Sequence, residues 1–287
     1  MPANDDSPLA GTEVHYLRSE HVGDELKIFV GHCGDAPDAA PPAVLYVGDA
    51  NGLFAGAVDA VRLMQLSAHL PPMLVVGIGY RMGILGETVV VRTRDFTPTY
   101  DAGFVRIFPA QTLMGGAARF LAFIRDELRP WVRSRYRVAA DGDAFFGHSQ
   151  GGLFATYVLL TEPGTFGRYG IGSPSLWWDG DMMFDHEKQY AATHDDLPAK
   201  AFFSVGAFED HDGRQREVSR LSAEERAAAG LRHIDMVADT ERMVAALRGR
   251  RYPGLEVAHA VFADEFHVTV PQLSLSRALR YLYDAPG

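Results

Sequence analysis

The sequence predicts an α/β fold: a mostly parallel central sheet with helices on both faces and an antiparallel hairpin at its start. Two continuous apolar runs, Ala43-Val44-Leu45-Tyr46-Val47 and Met73-Leu74-Val75-Val76-Gly77-Ile78-Gly79, read as strands buried on both faces. Between them, Leu53 to Leu70 carries apolar residues at helical spacing and stops at Pro71-Pro72, which completes a β-α-β unit. A glycine-rich turn, Gly147 to Gly152, sits between a further apolar strand and a further helix. Alternation of this kind implies a parallel sheet.

The remaining elements follow from local pattern. Val14 to Leu17 and Leu26 to Val30 alternate polar and apolar residues around the Gly23-Asp24 turn, which predicts the opening hairpin. Gly34 to Pro42 is rich in Ala, Asp and Pro and reads as a loop. Tyr80 to Gln111 mixes Gly, Arg, Asp and Pro without a period, so a long loop bordering the site is expected there. Gly115 to Tyr136 predicts a long amphipathic helix, Ala144-Phe145-Phe146 a short strand, and Leu153 to Leu160 a helix. Ala201 to Val205 and Glu256 to Phe262 predict late strands separated by a helix over Ile234 to Leu247, and a C-terminal helix starts near Leu273. The 287 residues are expected to form a single domain, with residues 1–10 as a flexible N-terminus.

Composition bounds the function. Hydrophobic residues make up 47% and charged residues 22%, as in a globular protein with a sizeable core. The net charge of −10 opposes nucleic-acid binding, which needs Lys and Arg against phosphates. Cys33 is the sole cysteine, so neither an intrachain disulfide nor a sulfur-rich metal site is available. The Asp and His residues near Asp179-Gly180-Asp181 and Asp210-His211-Asp212 match no ligand spacing, so no metal and no cofactor are expected. The acidic Met1 to Asp6 stretch lacks an apolar signal region and no run reaches membrane-spanning length, so a cytoplasmic protein without a membrane partner is expected.

The chemistry centres on Gly147-His148-Ser149-Gln150-Gly151. Gly-x-Ser-x-Gly between a strand and a helix is the nucleophile elbow of the α/β-hydrolase fold, with the serine hydroxyl projecting from a strained turn. A serine hydroxyl is weakly nucleophilic at neutral pH and needs a base, and in this fold the acid and then the histidine follow the serine. His267, in Glu265-Phe266-His267-Val268 after the last predicted strand, occupies the place of the base. His259 falls inside that strand, and His186, His194, His211 and His233 lie in polar segments. The acid belongs after the strand Ala201 to Val205, where Glu209, Asp210 and Asp212 are all candidates and Glu209 comes first. An oxyanion hole draws one N–H from Gln150 and another from the loop after the first central strand, where Ala50 and Asn51 fit. These features point to cleavage of a small-molecule ester through an acyl-enzyme.

The chain resembles the Putative esterase family of α/β hydrolases, which includes esterase D, ferric enterobactin esterases, feruloyl esterase domains and mycolyltransferases. The likeness is carried by Val44 to Asn51, Val76-Gly77-Ile78-Gly79-Tyr80, Arg94-Asp95-Phe96-Thr97-Pro98, Gly147 to Gly152, Ser173-Pro174-Ser175-Leu176-Trp177-Trp178 and Glu265 to Val268. Ferric enterobactin and other siderophore esterases resemble it most, and that resemblance implies Ser149, Glu209 and His267 as the catalytic set. One departure is Ala50, where that branch usually has glycine. Substrate is not fixed by the family, since acyl transfer and thioester cleavage use the same triad and a non-catalytic binding protein could share the fold. Ser175, Trp177 and Trp178 could wall an acyl or aryl pocket, or the tryptophans could cover core. Arg81, Arg92 and Arg94 could hold an anionic substrate, although pairing with nearby carboxylates such as Asp95 is the simpler expectation.

Overall fold

The computed structural model describes residues 9–34, 40–66, 70–83, 85–107, 112–219 and 234–283. Eight strands join one sheet: β1 (Thr12–Arg18), β2 (Glu25–Cys33), β3 (Ala43–Val47), β4 (Met73–Tyr80), β5 (Ala144–His148), β6 (Arg168–Gly172), β7 (Ala199–Gly206) and β8 (Leu255–Phe262). Their spatial order is β1-β2-β4-β3-β5-β6-β7-β8. Pairings of β1 with β2 and of β2 with β4 are antiparallel, and all others are parallel. The expected mostly parallel sheet with an antiparallel start is therefore present. The hairpin turns at Gly23, with φ 75°. Ser19 N and Asp24 O close it at 2.9 Å.

Side-chain alternation along the central strands divides the core into two layers. Val44, Tyr46, Leu74, Val76 and Ile78 face one way, among the cluster containing Phe120, Phe123, Phe154 and Leu159. Leu45, Val47, Met73 and Val75 face the other way, under α1 (Ala50–Gln65) and the C-terminal helix. Helix α1 buries Ala50, Leu53, Phe54, Ala57, Val58 and Val61, the 3.6-residue stripe that flattens a helix against a sheet.

Two expectations change. Tyr80 to Gln111 is not an irregular loop, because the described part holds a 3₁₀ turn (Leu85–Thr88), α2 (Val89–Phe96) and α3 (Ala102–Ile107). Helix α2 escaped notice because its buried side chains are Thr93, Asp95 and Phe96, so it presents no apolar stripe, and Val89-Val90-Val91 favours strand. The helix over Gly115 to Tyr136 is helical almost throughout but breaks into α4 (Ala117–Ala122), a π-helical stretch (Phe123–Leu128) and α5 (Arg129–Arg135). Pro130 lacks the N–H that would bond one turn back, and the wider π turn precedes it. Strand β6 contains Gly170 and Gly172, which hid it from a propensity reading.

Among the described residues, the other α-helices are α6 (Gln150–Leu159), α7 (Met182–Thr193), α8 (His211–Ser219), α9 (Met236–Arg250) and α10 (Pro271–Tyr283). Most of the expected flexible N-terminus and His233 lie outside the described residues. Among the described residues, no helix is long and apolar enough to cross a membrane.

Candidate active site

Three loops at the carboxyl ends of β5, β7 and β8 meet beside the start of α6, the edge at which parallel sheets present ligand sites. Strand β5 ends at His148 and α6 begins at Gln150, so Ser149 alone makes the turn, with φ 62° and ψ −120°. That conformation costs an L-residue about 1–3 kcal/mol and persists only where neighbours enforce it. Here Ser149 N donates to Gly172 O (2.9 Å), and Ser149 O accepts from Leu153 N (2.9 Å) and Ser175 N (3.1 Å). The glycines flanking the serine make the turn possible. A Cβ on Gly147 would lie 2.1 Å from Gly151 O, and one on Gly152 would lie 2.6 Å from Gly172 O.

Glu209 ends a 3₁₀ turn (Ala207–Glu209) directly after β7 and is almost fully buried. Its Oε1 accepts from Gly206 N (2.7 Å) and Ser173 Oγ (2.6 Å), which leaves Oε2 aimed at His267 Nδ1, 2.5 Å away. A carboxylate only accepts, so Nδ1 of a neutral imidazole carries the proton and Nε2 accepts from Ser149 Oγ at 3.0 Å. The three side chains thus form one directed hydrogen-bond chain. Asp210 faces elsewhere: its Oδ1 accepts from Gly213 N (2.6 Å) in the first turn of α8.

His267 is held through its backbone as well. His148 Nε2 donates to His267 O (2.9 Å), and the two rings lie 4.6 Å apart. Burial, followed by the neighbouring His267, pushes the His148 imidazole well below its ordinary range, so it stays neutral. Phe208 N bonds Glu265 O (3.0 Å), joining the loop of the glutamate to that of the histidine. A Cβ on Gly206 would meet the same oxygen at 2.4 Å, so glycine is required at that junction.

Two helices begin beside Ser149. Asp49, with φ 52°, precedes α1 as Ser149 precedes α6, and Gly48 N bonds Phe146 O (3.0 Å) to hold the two turns together. The first N–H groups of a helix have no intrahelical acceptor, which makes those of Ala50, Asn51 and Gln150 candidate anion donors. Only their backbones are candidates. The Asn51 amide accepts from Tyr80 N (2.8 Å) and donates to Tyr80 O (3.0 Å) and Met82 O (2.5 Å). Gln150 Oε1 accepts from Arg92 Nη1 (2.8 Å).

The expected pocket residues divide. Trp178 is fully buried in the core, with Nε1 donating to Thr99 O (3.2 Å) and Phe104 against its ring. Trp177 is partly buried and packs on Val205, Ile234 and Met236. Ser175 is buried behind the nucleophile turn, bonded to it through its N–H. Arg94 donates to Asp95 and Asp24, in line with the simpler expectation of carboxylate pairing. Arg81 is well exposed but pairs with Glu25 and lies over the Tyr16 ring. Ser173 and His148 were not singled out as site residues from sequence, nor was the pairing of Asp49 with Arg92, which was named only as a candidate holder of an anionic substrate. For the first two the signal was their position inside Ser173-Pro174-Ser175 and Gly147-His148-Ser149.

Comparison with known proteins identifies the family. Residues 20–231, well over half of the chain, match the family described as Putative esterase. The siderophore triacetylfusarinine C esterase of Aspergillus fumigatus is 30% identical over 293 residues, covering 96% of this chain and 94% of that protein. The ferri-bacillibactin esterase BesA of Bacillus subtilis is 28% identical over 290 residues, covering 97% and 92%. The solved structure of siderophore hydrolase EstA from Aspergillus nidulans superposes with a TM-score of 0.78 at 26% identity, covering 95% of this chain and 94% of that one. The match over most of the chain, with a strand–serine–helix turn on a mostly parallel sheet, places this protein in the Putative esterase family, as an ester hydrolase of the α/β-hydrolase fold.

Proposed function

We propose that the chain hydrolyses the carboxylic ester bonds of a siderophore-like substrate through an acyl-enzyme on Ser149. The observation that carries this reading is the continuous chain Ser149 Oγ, His267 Nε2, His267 Nδ1, Glu209 Oε2, with separations of 3.0 and 2.5 Å. His267 takes the serine proton as Oγ attacks the ester carbonyl, and Glu209 stabilises the imidazolium that forms. The carbonyl oxygen becomes an oxyanion facing the N–H of Gln150 and that of Ala50 or Asn51. Collapse of the tetrahedral species expels the alcohol, which leaves with the proton from His267. Water, deprotonated by the same imidazole, then releases the acid and restores the serine. The substrate class rests on the named activities of the triacetylfusarinine C and ferri-bacillibactin esterases, matched along nearly the whole chain.

The test is turnover of p-nitrophenyl esters of increasing acyl length, and of a hydroxamate and a catecholate siderophore ester in iron-bound and iron-free forms. Wild type, Ser149→Ala, His267→Ala and Glu209→Gln are compared. Background rates for the serine and histidine variants, with a siderophore ester preferred over aryl esters, support the reading. Full activity in Ser149→Ala contradicts it, and product appearing only with an added acceptor alcohol points to transfer instead.

A further inference from the structure

Arg92 joins the two segments that flank the proposed oxyanion site. It lies on α2, far in sequence from both, and its side chain is only 12% exposed while that of Asp49 is 5% exposed. Nε donates to Asp49 Oδ1 (2.7 Å) and Nη2 to Asp49 Oδ2 (2.8 Å), the fork-to-fork geometry of a strong guanidinium–carboxylate pair. Nη1 reaches Gln150 Oε1 (2.8 Å), and Nη2 also faces His148 O at 3.5 Å. Thr93 Oγ1 lies 3.0 Å from the same Gln150 oxygen. One guanidinium therefore contacts the residue before α1, the residue before the nucleophile and the first residue of α6.

The pair also has an electrostatic role. Asp49 immediately precedes the Ala50 and Asn51 N–H groups and is held in a left-handed conformation at φ 52°. An uncompensated carboxylate at that place would repel a developing oxyanion, and the water-poor surroundings would enlarge the repulsion. Burial alone would lower the Arg92 pKa, but the adjacent Asp49 carboxylate outweighs it and favours the charged guanidinium.

We propose that Arg92 and Asp49 are positioning residues for the oxyanion site: their ion pair sets the spacing of the α1 and α6 N-termini and cancels the Asp49 charge beside them. This rests on the esterase reading above. Neither side chain is assigned to substrate binding, so the effect falls on the transition state and leaves ground-state affinity alone.

The experiment compares wild type, Ser149→Ala, Asp49→Asn, Arg92→Gln and the double variant Asp49→Asn/Arg92→Gln. The readouts are kcat and KM on one p-nitrophenyl ester and the inhibition constant of an alkyl trifluoromethyl ketone, whose tetrahedral adduct carries an oxyanion. Arg92→Gln, which leaves Asp49 charged and unpaired, is expected to lower kcat by about 100-fold with KM within about twofold, the size of losing one oxyanion donor or its alignment. Asp49→Asn loses about tenfold, and the uncharged double variant regains activity over Arg92→Gln. Ketone affinity falls in step with kcat/KM across the series. If Arg92→Gln does not fold, the decision passes to Asp49→Asn and the double variant, read by the same correlation. Variants with wild-type kcat, or losses confined to KM with ketone affinity unchanged, overturn the proposal while Ser149→Ala is inactive. Activity in Ser149→Ala overturns the esterase mechanism itself.

Discussion

At Glu209, both carboxylate oxygens are occupied and the residue is buried, so its replacement has separable effects. Glu209→Gln keeps the shape but presents an amide that cannot stabilise an imidazolium. We expect kcat to fall by about 10²- to 10⁴-fold, less than for Ser149→Ala, as steady-state kinetics on an aryl ester will measure. Ser173 acts one step further out. Ser173→Ala removes the 2.6 Å bond to Oε1 and leaves only Gly206 N on that oxygen. A loss of about 1.5–3 kcal/mol in unfolding free energy is expected in urea titration, since the acceptor is charged. Ser149 and His267 were legible as candidates because motif and chain order restrict them. Ser173 was not, and Arg92 was legible only as a candidate anion holder, because their contacts with Glu209 and with Asp49 and Gln150 span long sequence separations that no local pattern encodes.

His148 makes a prediction about pH. Its folded imidazole is held well below 6.5 by burial and by His267, whereas the unfolded chain titrates near the free value. As pH falls below about 6.5 the unfolded state binds a proton that the native state refuses, so stability declines from there toward the lower folded value and is unaffected above it. Melting temperatures from pH 5 to 8 should therefore show a steeper acid-side fall in wild type than in His148→Gln. Equal slopes would place the acid sensitivity elsewhere.

Among elements, the turns that end strands are less tolerant than the strands themselves. A methyl group at Gly147 would overlap Gly151 O, and one at Gly206 would overlap Glu265 O, both backbone atoms that cannot rotate aside. Gly147→Ala or Gly206→Ala should therefore destabilise by more than about 3 kcal/mol, a size reserved for backbone conflict and large core defects. Soluble yield and chemical denaturation will register it, and a change under 1 kcal/mol would contradict the geometry. Strands β3 and β4 were readable because both faces are buried and the sequence is apolar throughout. Helix α2 was not, because it buries threonine and aspartate through hydrogen bonds: Thr93 and Thr97 bond back to Val89 and Thr93 carbonyls, and Asp95 accepts from Arg94 and Tyr80. A polar buried face leaves no hydrophobic period to detect.

Across the whole molecule, one sheet carries the candidate serine after β5, the candidate acid after β7 and the candidate histidine after β8, with the candidate N–H groups beyond β3. These sites are remote in sequence and adjacent in space, so the arrangement exists only when the sheet is assembled. The most direct measurement is reaction of the folded protein with an aryl fluorophosphonate, followed by intact-mass analysis and peptide mapping. A single adduct on Ser149 is expected, absent from Ser149→Ala and urea-unfolded protein, and formed about 10²-fold or more slowly in His267→Ala. Labelling of another residue, or no labelling by a protein that turns over esters, would contradict it.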